Sequence, residues 1–127
     1  MASVALVVAI GLAGALGAAA RFGVAEWSAR HWRGPFPLGT LLINVSGAFV
    51  LGLVLSAAPV RAPLPSGMRA VLGTGFLGGY TTFSTLCFET HASARLGRIH
   101  SAWLNAVSSL ALGILAAALG IALGHAL

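Results

Sequence analysis

Asn44, Thr40, Asn105 and Ser109 interrupt apolar runs, and the stretch GFLGGYTTFSTL (Gly75–Leu86) places three glycines, three threonines and a serine inside another. These groups are neutral hydroxyls and carboxamides, and what they can do is hydrogen-bond. Asn, Ser and Thr can donate to an anion, and the ring edge of Phe83 is the positive end of its quadrupole. Carbonyls freed where GG meets TT, a plausible helix break, would suit a cation instead. The chemistry admits an anion path and a structural cation together and names neither ion.

Thr40 and Asn44 are four residues apart, as are Asn105 and Ser109, with Gly113 continuing the second line. On a helix each set shares one face. A single Ser or Thr in a membrane helix ordinarily makes a packing hydrogen bond. Donors on three separate segments, with a glycine-rich stretch between them, look instead like the lining of a path. Arg21 and Glu89 stand toward segment ends, so there is no mid-span carboxylate ring to select cations. His31, His91, His100 and His125 are scattered without metal-ligand spacing. No nucleophile–base pair, metal cluster or phosphate loop is present, which argues against an enzyme.

The elements that must position these groups are membrane spans. Of 127 residues, 58% are hydrophobic and 7% charged, where soluble domains carry roughly a quarter charged residues. Crossing about 30 Å of hydrocarbon takes roughly 20 apolar residues. Four stretches qualify, at about 3–25, 38–58, 68–94 and 101–126, giving one all-α integral membrane domain over residues 1–127. The first span has no basic leader region and is expected to be retained. Its GLAGALGAAA offers the small-residue surface that membrane helices use for close approach. Trp27 and Trp32 are interfacial anchors, and Pro35 and Pro37 bar helix continuation. Gly75–Leu86 lies mid-span in the third segment, where a broken helix must be buried in protein or line a cavity. One such chain is small for a pore, and a homodimer is the economical solution.

The net charge of +5 arises from seven Arg against Glu26 and Glu89. The arginines lie mostly at segment ends, where they meet the lipid bilayer, and no basic stripe with interleaved aromatics suggests nucleic acid. Arg61 and Arg69 fall on one side with the termini; Arg30, Arg33, Arg95 and Arg98 fall on the other. Such near-balance is what dual insertion would show, and also what a weakly biased protein would show. Cys87, in an apolar run, is expected to be a buried, inert thiol.

GTLLINVSGAF (Gly39–Phe49) and GFLGGYTTFST (Gly75–Thr85), in this order, resemble the Fluc family of fluoride channels, also called CrcB. The likeness covers essentially the whole chain. It implies a fluoride-selective channel giving passive export of toxic fluoride across the cell inner (plasma) membrane, built as an antiparallel dual-topology homodimer. It also implies a structural sodium ion held by main-chain carbonyls, here those of Gly78 and Thr81, where the two third-helix breaks meet. Carried over, Asn44 donates to fluoride and Phe83 offers its ring edge. Thr40, Thr82, Ser84, Thr85 and Ser109 match the polar path, Arg21 a vestibule charge, and Glu89 a polar position further along. Leu86 stands where members commonly carry a second phenylalanine, Gly113 where some have serine, and Asn105 where some have tyrosine. The rival is a small dual-topology proton-coupled exporter, which needs a carboxylate deep in the bundle, and the first span has none.

Overall fold

The structure, a computed structural model, describes residues 3–56 and 64–126; the expected end of the second span at 57–58 and Arg61 lie outside the described residues. Helix α1 spans Val4–His31, with the Ser3 hydroxyl accepting the Leu6 N–H at 3.3 Å as its cap. It runs past the expected end near Ala25. Nothing in EWSARH stops a helix: Glu26 and Arg30 form an i,i+4 pair at 3.2 Å, and the Trp32 N–H still reaches the Ser28 carbonyl. The chain turns only when Gly34 and Pro35 arrive, with the Trp32 indole donating to the Phe36 carbonyl at 2.8 Å.

Helix α2 is Leu38–Ser56 and, after the linker, α3 is Ser66–Arg69. The helix then widens into a π-helical segment, Ala70–Leu77, and tightens again at α4, Gly78–Tyr80. Thr81 and Thr82 are extended, with φ/ψ of −77/160° and −150/114°, and α5 restarts at Phe83 and ends at Arg95. A turn through Gly97, whose φ of 75° suits glycine, leads into α6, Ile99–Ala126. Among the described residues there is no strand. Helices α1, α2 and α6 are long and apolar enough to cross a membrane. At 1.5 Å per residue the 28 residues of α1 and of α6 each reach about 42 Å, enough for hydrocarbon and headgroups together.

Glycines decide how these elements meet. Helix α2 packs most extensively on α6, where a β-carbon on Gly52 would collide with the Ala117 carbonyl and one on Gly120 with the Phe49 carbonyl. Helix α1 rides on the π segment and α4 in the same manner: Gly17 abuts the Phe76 carbonyl and Gly79 the Gly14 carbonyl. Backbones this close maximise dispersion where lipid offers no hydrophobic drive between helices. Helix α5 leans on α6 and completes the wall.

Gly17→Val places branched carbons against the Phe76 backbone and should cost about 1–3 kcal/mol through overpacking. Gly11→Ala, at a position with no atom within 4 Å of the new carbon, should leave stability unchanged or slightly raised. Unfolding of the two variants in mixed detergent micelles measures the difference.

Candidate ion pathway

The interruption at Thr81 and Thr82 strands backbone groups, and Asn44 of α2 takes up two of them. Its Nδ2 donates to the Thr82 carbonyl at 2.9 Å, and the Thr82 N–H donates to its Oδ1 at 2.8 Å. One carboxamide thus pairs with both polar groups of one extended residue, as a neighbouring strand would. The remaining Nδ2 hydrogen has no acceptor among the described residues. On the near side of the interruption, the Leu77 carbonyl accepts both the Thr81 N–H, at 3.0 Å, and the Thr81 hydroxyl, at 2.9 Å. On the far side, the Thr82 hydroxyl caps α5 by accepting the Thr85 N–H at 3.3 Å. It donates to Thr85 Oγ1 at 2.9 Å and lies 3.3 Å from the Ser84 hydroxyl.

These bonds free specific carbonyls. In an unbroken helix the Gly78 carbonyl would receive the Thr82 N–H and the Thr81 carbonyl the Thr85 N–H. The first N–H goes to Asn44 and the second to the Thr82 hydroxyl. Gly78 and Thr81 share a cavity of about 260 Å³ with Asn44 and Gly47. No group of three or more His, Cys, Asp or Glu side chains suits a metal ion among the described residues.

Three further cavities line up through shared residues. The largest, about 650 Å³, lies between α2, α5 and α6 and is walled by Asn44, Phe83, Leu86, Thr90 and Ser109 among others. Thr82 belongs to its wall and also to that of a second cavity, about 440 Å³, which holds Arg21, Thr40, Thr85 and Glu89. Thr40 and Glu89 in turn line a third, about 210 Å³, opening beside Trp32 and Pro37 at the α1–α2 connection. Polar side chains thus recur through three neighbouring cavities, a polar line from α6 to the end of α1 in which Thr82 and the Thr40–Glu89 pair are the shared walls. The pair itself is a hydrogen bond, Thr40 Oγ1 donating to Glu89 Oε1 at 2.9 Å.

The expected residues divide accordingly. Asn44, Phe83 and Ser109 meet in the large cavity, and Arg21, Thr40 and Thr85 in the second, with Thr82 between them. Ser84 is exposed and joins only through the Thr82 hydroxyl. Phe83 is 77% exposed, and the Ser109 Oγ is buried without a hydrogen-bond partner among the described residues. Cys87, expected inside, is exposed on the cavity wall. Thr90, missed from the sequence alone, lines the large cavity and accepts a hydrogen bond from Asn105 Nδ2 at 2.9 Å. Its signal was present: a hydroxyl one turn past Leu86, facing the polar line of α6.

The profile of the family described as CrcB-like protein, Camphor Resistance (CrcB), matches residues 8–121. The chain is 40% identical over 121 residues to the fluoride-specific ion channel FluC of Roseiflexus sp. (strain RS-1), covering 95% of this chain and 98% of that protein. It is 45% identical to the FluC of Acidobacterium capsulatum, over 91% and 93% of the two chains. It is also 45% identical to FluC 1 of Symbiobacterium thermophilum, over 92% and 95%.

Asn44→Leu keeps the branched outline of the side chain and strands both the N–H and the carbonyl of Thr82. Each unsatisfied group costs about 1–3 kcal/mol, so a loss of about 2–6 kcal/mol is expected. Ser108→Ala removes a hydroxyl that bonds only back to its own helix and should change stability by less than about 0.5 kcal/mol. Equilibrium unfolding in dodecyl sulfate–maltoside mixtures reads both.

Proposed function

The chain belongs to the CrcB family, and on that premise we propose that it is a fluoride-selective channel, not an enzyme, giving passive export of toxic fluoride across the cell inner membrane. The observation that carries the reading is the polar line joined at Thr82 and at Thr40–Glu89. Fluoride is small and strongly hydrated, so a selective path must replace its water with closely placed donors. A wide cationic funnel would favour chloride, which gives up water more readily.

The hydrogen bonds indicate which donors are available. Asn44 keeps one amide hydrogen, since the other is held by Thr82. Ser109 keeps its hydroxyl hydrogen, and Phe83 adds the positive edge of its ring. The Thr82 hydroxyl spends its hydrogen on Thr85, leaving Thr85 as the donor to the second cavity. Thr40 spends its own on Glu89 and so acts on the carboxylate, keeping it in place beside the path. Arg21 lines that same second cavity and supplies the vestibule charge that draws an anion in.

The freed carbonyls of Gly78 and Thr81 fit a structural sodium ion, because neutral main-chain oxygens at an unwound helix suit such a cation. Two oxygens from one chain leave its shell incomplete, which favours a second copy contributing the same pair. The bound ion would supply positive charge between two interruptions. Arginines divided almost evenly between the two sides suit an antiparallel homodimer. The exposed Phe83 then gains neighbours from the partner.

Purified protein in liposomes should release fluoride rapidly, without a proton gradient, while a parallel chloride assay stays silent; ion-selective electrodes read both. Phe83→Ile keeps an apolar side chain but removes the ring edge, and should slow efflux by about tenfold or more while the protein still purifies as folded wild type does. Folded wild type that releases no fluoride, or releases chloride equally, would sink the reading.

A further inference from the structure

A Ser or Thr hydroxyl inside a helix can donate to the carbonyl four residues earlier. Ser46, Ser56, Thr81 and Ser108 all do so here, to Leu42, Gly52, Leu77 and Leu104. Thr90 does not: the structure gives it no bond to the Leu86 carbonyl. Its oxygen instead accepts the Asn105 amide at 2.9 Å. A hydroxyl has one hydrogen to donate, and an accepted bond leaves that hydrogen free. Thr90 lines the large cavity one turn beyond Leu86, whose side chain has no donor, and Ser109 faces the same space from α6.

Asn105 is 1% exposed and stands one turn before Ser109 on α6. A side chain kept only to clamp α5 to α6 would satisfy both ends of its amide. This one leaves Oδ1 buried and without a partner. Such an arrangement is costly as a brace. It makes sense if what matters is the state of the Thr90 hydroxyl.

We propose that the Thr90 hydroxyl is a fluoride-binding group of the α5–α6 cavity, with Asn105 as the positioning residue that frees its hydrogen for the ion. This rests on the fluoride-channel reading above. It gives the path a polar step past Leu86, between Phe83 and the end of α5. Without Asn105 the hydroxyl is free to turn back to the Leu86 carbonyl, as those of Ser46, Ser56 and Ser108 do on their helices, and the step would close.

The test is fluoride efflux from liposomes across a range of internal fluoride concentrations, for wild type, Thr90→Val, Thr90→Ser, Asn105→Leu and the double variant combining Thr90→Val with Asn105→Leu. A lost donor to a charged ligand should raise the half-saturating fluoride concentration about tenfold or more in Thr90→Val, with Thr90→Ser within about twofold of wild type. Asn105→Leu should move it in the same direction. The double variant should be no worse than Thr90→Val alone, since both changes remove one interaction. Damage to the fold would lower the number of active vesicles without moving that concentration. An unchanged concentration dependence in Thr90→Val overturns the proposal, and additive effects in the double variant overturn the positioning role of Asn105. Wild type silent toward fluoride would instead defeat the channel reading, and this inference with it.

Discussion

The exchange of two hydrogen bonds between the Asn44 carboxamide and the backbone of Thr82 is the interaction on which the rest of the molecule depends. A polypeptide in hydrocarbon cannot leave N–H and carbonyl groups bare, and a helix that stops and restarts exposes several. One side chain closes the gap by acting as a fragment of β-strand. Its position must then be held within fractions of an ångström. The glycine contacts of α2 with α6 provide that hold, because Gly52 and Gly120 let the two backbones lock rather than rest on flexible side chains.

Much of the chemistry follows from which hydrogens are already spent. Thr81, Thr82 and Thr40 commit theirs to Leu77, Thr85 and Glu89, and so shape the path without contributing a proton to it. Asn44 and Ser109 retain one hydrogen each. Neutral donors of this kind in apolar walls recognise an anion by distance. The charged side chains lining these cavities are Arg21, at the second, and Glu89, shared by the second and third.

Parts of this arrangement could be read from residue order alone, because they depend on local rules. Apolar runs of the right length gave the stretches that became α1, α2 and α6, and the four-residue spacing of Thr40–Asn44 and Asn105–Ser109 placed each pair on one face. The extended Thr81 and Thr82 fall inside the stretch whose glycines and threonines drew notice. What could not be read depends on partners distant in the chain. Thr40 and Glu89 are 49 residues apart and Thr90 and Asn105 fifteen, so nothing in their neighbourhoods announces their pairing. Helix α1 continues through the polar EWSARH to His31, beyond the apolar stretch, because nothing in those residues stops a helix until glycine and proline intervene. The π winding of Ala70–Leu77 carried no signal that composition could supply.

That winding has a consequence for how the gene can change length. In the π segment each N–H reaches back five residues instead of four, as the Gly78 N–H does to Gly73, so the segment houses the equivalent of an inserted residue. Deleting one codon between 70 and 77 would let the stretch relax into ordinary α-helix at no cost in hydrogen bonds. It would also turn everything downstream about its axis, carrying the Gly78 and Thr81 carbonyls and the Thr82 backbone away from Asn44. A frame-preserving deletion there would thus yield a chain with intact helices and a misaligned interruption. The tolerance to insertion and deletion seen in surface loops should be absent from this run, although none of its side chains lines the three cavities of the polar line.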